Sequence, residues 1–308
     1  MKTHSLENRS FRIEVVPEQG GRIESIIDRV SGKEWVWHPD GYEPKDRQLP
    51  VGASFDDNWR GGWEEVFPND AAGPFEGYSL VDHGELWSQP WSIIEKDSSG
   101  IKMSYRCERI PVEVEKTIVL SDGAPSFRLH YLFRSHAERP LPFLFKLHPA
   151  IAIEPGDEII LPDCSVEPVT LDFSTLIGRS EKTRFPFALG RSGEQIRLDR
   201  VPPREANAQE FYYATGLSEG WAGIRNHRTN TELKFRFDRK DIPNVWMFQS
   251  FGKWRNHYML VMEPCTNVPW DLTEALKRRT CAILEPGKKR EYHFEVLITP
   301  SQTKPNPE

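Results

Sequence analysis

The sequence lacks the cysteine patterns of a disulfide-stabilised or zinc-binding protein. Its four cysteines form no CxxC motif and have no histidine at zinc-finger spacing: Cys107, Cys164, Cys265 and Cys281. No apolar run approaches the roughly 20 residues that a membrane helix needs. The first eight residues also lack the apolar core of a signal peptide. We therefore expect reduced thiols, a cytoplasmic location and no membrane partner.

Signatures of cofactor binding are missing as well. There is no GxGxxG, GxxxxGK[ST], GxSxG or HExxH motif, and the nine histidines include no HxH pair. We therefore expect no cofactor and no dedicated metal site. The 40 Lys and Arg against 46 Asp and Glu give a net charge of -6. That balance argues against a protein that binds nucleic-acid phosphates, so no nucleic-acid partner is expected.

Aromatic and turn-forming residues are abundant, with 17 Phe, 10 Trp, 25 Pro and 21 Gly. This composition favours strands joined by turns. Apolar residues alternate with polar ones in many segments, as in half-buried strands. Examples are 11–15, 101–107, 127–133, 233–237, 258–262 and 292–298. The best helical segment is a short one around Leu272–Lys277. Strands without intervening helices predict an all-β antiparallel sandwich or barrel.

No Ser/Gly-rich linker divides the chain. The stretch 162–204, rich in Pro, Arg and Ser, is predicted to form long loops rather than a boundary. We therefore assign residues 1–299 to one domain. The polar tail 300–308, with two prolines after residue 300, is predicted to be disordered.

The segment 81–87, Val-Asp-His-Gly-Glu-Leu-Trp, places His83 between an acid and a glycine. This pattern indicates a loop with an accessible imidazole. Alternatively, His83 only caps backbone groups in a turn.

The segment 143–149, Phe-Leu-Phe-Lys-Leu-His-Pro, would place Phe143 and Phe145 on the core face of a strand. His148 would then lie on the opposite face, at a rigid strand end suited to catalysis. A partly exposed structural histidine is the alternative.

The segment 258–265, Tyr-Met-Leu-Val-Met-Glu-Pro-Cys, is apolar on both faces until Glu263. We expect a central strand with Glu263 buried, and burial would raise the pKa of Glu263 toward that of a general base. Alternatively, Glu263 holds loop amides or an arginine.

Several tryptophans accompany these segments, and indole rings can stack on the C–H faces of a sugar. We assign sugar binding to Trp63 and Trp246, although core packing is the alternative for any single tryptophan.

Six segments in order resemble the aldose 1-epimerase (galactose mutarotase-like) superfamily. They are 16–34, beginning Val-Pro-Glu-Gln-Gly-Gly-Arg, and Gly61–Asn69, Asp82–Gly84, Leu147–Ala150, Met262–Pro264 and Leu284–Gly287. The resemblance extends from about Phe11 to Ile298. It implies a β-supersandwich with a concave sugar-binding cleft and interconversion of α and β anomers of an aldose without a cofactor. His148 would be the general acid, Glu263 the general base and His83 a binding residue.

The sequence departs from the family pattern after the Phe-Pro segment, where an arginine is common. Here residues 69–73 are Asn-Asp-Ala-Ala-Gly, and we assign the missing contact to Arg22, with Arg60 as the alternative. A family aspartate that binds sugar hydroxyls also has no clear match. Two other functions therefore remain open. One is a non-catalytic sugar-binding module, and the other is a glycoside hydrolase or lyase that uses Glu64, Glu65 or Glu85 as a second carboxylate.

Overall fold

Two antiparallel sheets pack face to face in the computed structural model, which describes residues 2–121 and 123–301. In chain order the strands are β1 (His4–Glu7), β2 (Phe11–Val16), β3 (Arg22–Asp28), β4 (Trp63–Val66), β5 (Gly73–Phe75), β6 (Tyr78–Leu80), β7 (Ser92–Lys96), β8 (Gly100–Arg106), β9 (Val112–Leu120), β10 (Ser126–Ser135), β11 (Leu141–Phe143), β12 (Lys146–Ile151), β13 (Glu158–Ile160), β14 (Ser165–Pro168), β15 (Thr183–Arg184), β16 (Phe187–Leu189), β17 (Gln195–Arg197), β18 (Ala208–Thr215), β19 (Trp221–Asn226), β20 (Thr231–Phe237), β21 (Asn244–Phe251), β22 (Tyr258–Cys265), β23 (Ala282–Leu284) and β24 (Lys289–Pro300). Helices α1 (Phe55–Asn58) and α2 (Leu272–Arg278) and three short 3₁₀ turns, Leu171–Phe173, Arg204–Ala206 and Trp254–Asn256, complete the described elements.

The large sheet has ten strands in the order β1-β2-β3-β4-β12-β22-β21-β18-β14-β15. The small sheet has eight, in the order β13-β19-β20-β24-β10-β9-β8-β7. Three two-stranded ribbons, β11-β23, β16-β17 and β5-β6, lie outside them. The prediction of an all-β antiparallel sandwich is confirmed.

Period-2 alternation determines which side chains enter the space between the sheets. In β10, Phe127, Leu129 and Tyr131 are buried, whereas Arg128 on the opposite face is exposed. Aromatic side chains from the two sheets meet there. The Phe145 ring, directly before β12 of the large sheet, lies 5.0 Å from Tyr131 of the small sheet. Such contacts join both sheets into one apolar core cluster.

The central strand β22 is buried along its whole length, as its two apolar faces predicted. Its inner face belongs to the core between the sheets. On its outer face Met259 and Val261 join a second apolar cluster with Trp37, Phe55, Trp59 and Trp87. This outer cluster covers the middle of the large sheet and forms part of the wall of a cleft described below.

Other expectations have mixed outcomes. The predicted helix around Leu272–Lys277 is α2, whose first turn is capped by the Asp271 carboxylate. The stretch 162–204 is less irregular than expected, because it contributes four short strands, β14 to β17. Assignment of residues 1–299 to one domain stays a prediction. Of the predicted tail, residues 302–308 lie outside the described residues. Neither described helix has the length and apolarity needed to cross a membrane.

Candidate functional site

A cleft of about 550 Å³ opens on the outer face of the large sheet. Strands β12 and β22 supply the polar residues of its floor: Lys146, His148 and Glu263. The loop before β5 contributes Asp70, and the loop after β6 contributes Asp82 and His83. Six polar or charged groups that can exchange protons or bind hydroxyls therefore converge on a volume typical of small-molecule sites.

Lys146 is the centre of the polar floor. Its ammonium lies 2.6 Å from an Asp70 oxygen and 2.5 Å from a Glu263 oxygen. Burial opposes the charge of Lys146, but the two carboxylates outweigh that effect and raise its pKa. Glu263 is only 2% exposed, as predicted, and its partner is a lysine rather than loop amides or an arginine.

His83 is held in the cleft by two acids. Its Nδ1 lies 2.8 Å from Asp82 Oδ1, and its Nε2 lies 4.0 Å from Asp70 Oδ2. The Phe55 ring stacks on the imidazole at a centroid distance of 3.8 Å. Burial alone would lower the pKa of His83, but Asp70 and Asp82 raise it above its usual value. The imidazole contacts a carboxylate in the cleft instead of capping a turn, and the two acids favour its protonated form.

The turn that presents His83 requires glycine at the next position. Gly84 has a φ of 67°, and a Cβ there would overlap the Phe67 carbonyl. Gly84→Ala is therefore expected to lower the free energy of unfolding by more than about 1 kcal/mol in a denaturant titration. Gly287→Ala is the matched control, because Gly287 has a φ of 64° with open space around it. Equal losses in the two variants would contradict a role for the close approach to Phe67.

His148 lies deeper in the cleft and differs from His83 in charge. Burial lowers the pKa of His148 to about 3, so it is neutral at pH 7. A neutral imidazole does not fit the role of general acid that the resemblance implied for His148. Its Nδ1 has no hydrogen-bond partner among the described residues and lies 3.8 Å from Glu64 Oε2. Burial also raises the pKa of Glu64 to about 7, so this carboxyl group behind His148 titrates near neutrality.

Aromatic side chains form the walls of the cleft. Those lining it are Phe55, Trp59, Phe173, Phe211, Phe248, Trp254 and Trp270. Trp270 is 40% exposed, and Phe173 is 48% exposed. Exposed rings at a polar cleft can stack on the apolar face of a ligand.

Arg22 lies outside this cleft, which corrects its assignment as a binding residue. Its guanidinium lies 2.6 Å from Glu24 and donates a hydrogen bond to the Tyr42 hydroxyl. It lines a neighbouring pocket of about 600 Å³ together with Arg47 and Arg60. Glu24 lies two residues after Arg22 on β3, so both side chains leave the strand on the same face. The Arg22 guanidinium therefore points toward the Glu24 carboxylate and the neighbouring pocket.

The two tryptophans assigned to sugar binding are core residues. Trp63 is 1% exposed, and its ring packs 5.3 Å from Phe235 between the sheets. Trp246 is fully buried and donates its indole N–H to the Asn267 carbonyl. The Lys146 ammonium lies 4.2 Å from the Trp246 ring centre, so Trp246 supports the floor instead of contacting a ligand.

Sequence reasoning missed Lys146 and Asp70. Lys146 had a usable signal, because it lies two residues before His148 on the same face of a predicted strand. Asp70 had none, since it belongs to the segment that departs from the family pattern and its proximity to Lys146 depends on the fold. The Trp59, Trp254 and Trp270 side chains line the cleft in place of the two tryptophans that we assigned.

Comparison with solved structures places this architecture among known folds. The Slr1438 protein from Synechocystis aligns with a TM-score of 0.72 at 17% identity, covering 97% of this chain and 96% of that chain. A galactose mutarotase-like protein from Lactobacillus casei aligns at 0.66 and 16%, covering 97% and 100%. A galactose mutarotase related enzyme from Lactobacillus acidophilus aligns at 0.69 and 12%, covering 98% and 99%. Searches of protein-family models and of curated proteins find no match.

These alignments extend over nearly the whole chain at an identity below a fifth. The alignment and the two-sheet topology agree on the architecture, whereas the activity of the chain needs a separate argument from the cleft. The chain has the galactose mutarotase-like β-sandwich fold.

Proposed function

We propose that the chain is an aldose 1-epimerase-like isomerase that interconverts the α and β anomers of a sugar. The observation that supports this best is the meeting of a buried carboxylate, Glu263, with an imidazole, His83, whose protonated form is favoured by Asp70 and Asp82, in one aromatic-walled cleft. Ring opening needs a proton acceptor at the C1 hydroxyl and a proton donor at the ring oxygen. Both are present as side chains, so the reaction needs no cofactor.

The proposed reaction follows from these protonation states. Glu263 takes the proton of the C1 hydroxyl while a proton passes to the ring oxygen, the C1–O bond breaks, and C1 becomes a carbonyl. Rotation about C1–C2 and the reverse transfers close the ring as the other anomer. We assign the proton donor to His83, since neutral His148 has no proton to give from an imidazolium at pH 7. His148 then binds a sugar oxygen, and its Nδ1 lies 3.8 Å from Glu64 Oε2.

Charge in the cleft favours a neutral sugar. Lys146 is the one Lys or Arg among the described lining residues, and it already contacts Asp70 and Glu263. A phosphate group needs clustered cations or a helix N-terminus. Arg22 and Arg60 lie in the neighbouring pocket instead. We infer a free aldose rather than a sugar phosphate as substrate.

A hydrolase is less well supported. Of the glutamates considered for it, Glu64 lines the neighbouring pocket rather than the cleft, and Glu65 is bound to Lys116 in the core. Glu85 accepts hydrogen bonds from the backbone N–H groups of residues 108 and 109. Asp70 does lie in the cleft. Burial would raise the pKa of Asp70, but Lys146 and His83 lower it below its usual value. An acid that stays ionised cannot protonate a leaving group.

The test is polarimetry of freshly dissolved α-glucose and α-galactose, with and without the protein, over a range of pH. We expect acceleration that falls as pH rises through the pKa of His83, which lies above its ordinary value of 6.5. A donor His148 would instead give a rate that falls from about pH 3 upward. Loss of the alkaline limb in His83→Gln would support the assignment.

Two results would count against the proposal. An alkaline limb that is unchanged in His83→Gln would reject His83 as the donor. Wild-type protein that binds a sugar, measured by tryptophan fluorescence, without accelerating its mutarotation would favour the binding-module alternative.

A further inference from the structure

A cluster of two histidines and a glutamate lies on the outer face of the small sheet, on the opposite side of the sandwich from the cleft. His130 of β10 and His293 of β24 are direct cross-strand partners. Glu291 lies two residues before His293 on β24, so its side chain emerges on the same face. Among the residues that the structure describes, this is the one group of three potential metal ligands whose ligand atoms lie close together.

The ligand atoms are close enough to share an ion. His130 Nε2 lies 3.1 Å and His293 Nε2 lies 3.8 Å from Glu291 Oε2, and all three ligand atoms lie within 4.8 Å of one another. Zinc binds imidazole nitrogen at about 2.0–2.1 Å, which separates neighbouring ligands of a tetrahedral set by about 3.3 Å. All three separations therefore lie within about 1.5 Å of the spacing that a tetrahedral set requires.

The side chains can make that adjustment. The imidazoles stack with a centroid distance of 4.4 Å and an interplanar angle of 10°, so each must turn about its Cβ–Cγ bond to aim at one ion. Side-chain exposures of 35% for His130 and 71% for His293 leave room for this. The strands that carry them are paired over nine consecutive residues, which fixes the Cα positions.

We propose that His130, Glu291 and His293 form a binding site for one divalent transition-metal ion of the Zn²⁺ type. Two imidazoles and one carboxylate suit Zn²⁺ and its neighbours Co²⁺, Ni²⁺ and Cu²⁺ rather than Mg²⁺ or Ca²⁺, which prefer oxygen ligands. The expectation of no dedicated metal site depended on local spacing. It could not detect a pair of ligands 161 residues apart.

The test is isothermal titration of the full untagged chain with ZnCl₂. Wild type is expected to bind one equivalent, and His293→Ala is expected to weaken binding at least about tenfold because one of three protein ligands is lost. His136→Ala is the matched control, since His136 is exposed and its one ion-pair partner among the described residues is Glu113, at 3.6 Å. Its affinity should equal that of wild type.

Absence of saturable binding in wild type would overturn the proposal. So would an affinity that His293→Ala leaves unchanged, because the ion would then be bound elsewhere, for example in the cleft. Electron paramagnetic resonance of the Cu²⁺-loaded protein gives a second measure. Two coordinated imidazole nitrogens in wild type and one in His293→Ala would support the site, and identical spectra would reject it.

Discussion

Glu263→Gln is expected to slow anomer interconversion by about 10²–10⁴-fold, the contribution of a positioned general base. The amide keeps the shape of the carboxylate but cannot accept the C1 hydroxyl proton. Lys146 retains Asp70 at 2.6 Å, so the ammonium is not left unpaired. Sugar affinity, measured by tryptophan fluorescence, should change far less than the polarimetric rate, since the aromatic walls are unaltered.

The control for this variant is Glu205→Gln, which makes the same chemical change on an exposed 3₁₀ turn. Both variants must first show the thermal unfolding of wild type. A near-wild-type rate in Glu263→Gln would remove Glu263 from the mechanism. Loss of rate and of binding in equal measure would assign it a binding role instead.

The strands could be predicted because the alternation of apolar and polar residues is local information. Burial of Glu263 could also be predicted, since an acid that ends an apolar central strand has little access to water. The same patterns say which face of a strand a side chain occupies. They do not say whether the opposing surface is a second sheet or an open cleft.

That limit explains why the residues lining the cleft could not all be predicted from the sequence. Trp63 and Trp59 lie four residues apart, yet Trp63 packs between the sheets and Trp59 lines the cleft. The charge of His148 was also beyond sequence reasoning, because its pKa depends on how completely the outer cluster of the large sheet excludes water from it. Only the three-dimensional packing contains that information.

The alternation in β9 places one charged residue, Lys116, at an inward-facing position. Lys116 alternates with Val114 and Ile118, which are both core residues, so the pattern places a lysine inside the sandwich. The structure supplies the reason. The Lys116 ammonium donates to both oxygens of the Glu65 carboxylate at 2.7 and 2.9 Å, and the Tyr131 hydroxyl donates to the same carboxylate at 2.6 Å.

Lys116→Met should therefore lower the free energy of unfolding by about 3–5 kcal/mol, because the Glu65 carboxylate stays buried without its counter-charge. Adding Glu65→Gln to that variant removes the charge and keeps an acceptor for Tyr131, so the double variant should recover much of the loss.

Lys102→Met is the matched control in denaturant unfolding. Lys102 lies on the neighbouring strand β8, and its ammonium is 2.9 Å from Glu115 in a partly exposed pair. Such pairs contribute about 0–1 kcal/mol. A loss in Lys116→Met no larger than in Lys102→Met would mean that the buried carboxylate finds another proton or partner, and that this ion pair does not hold the two sheets together.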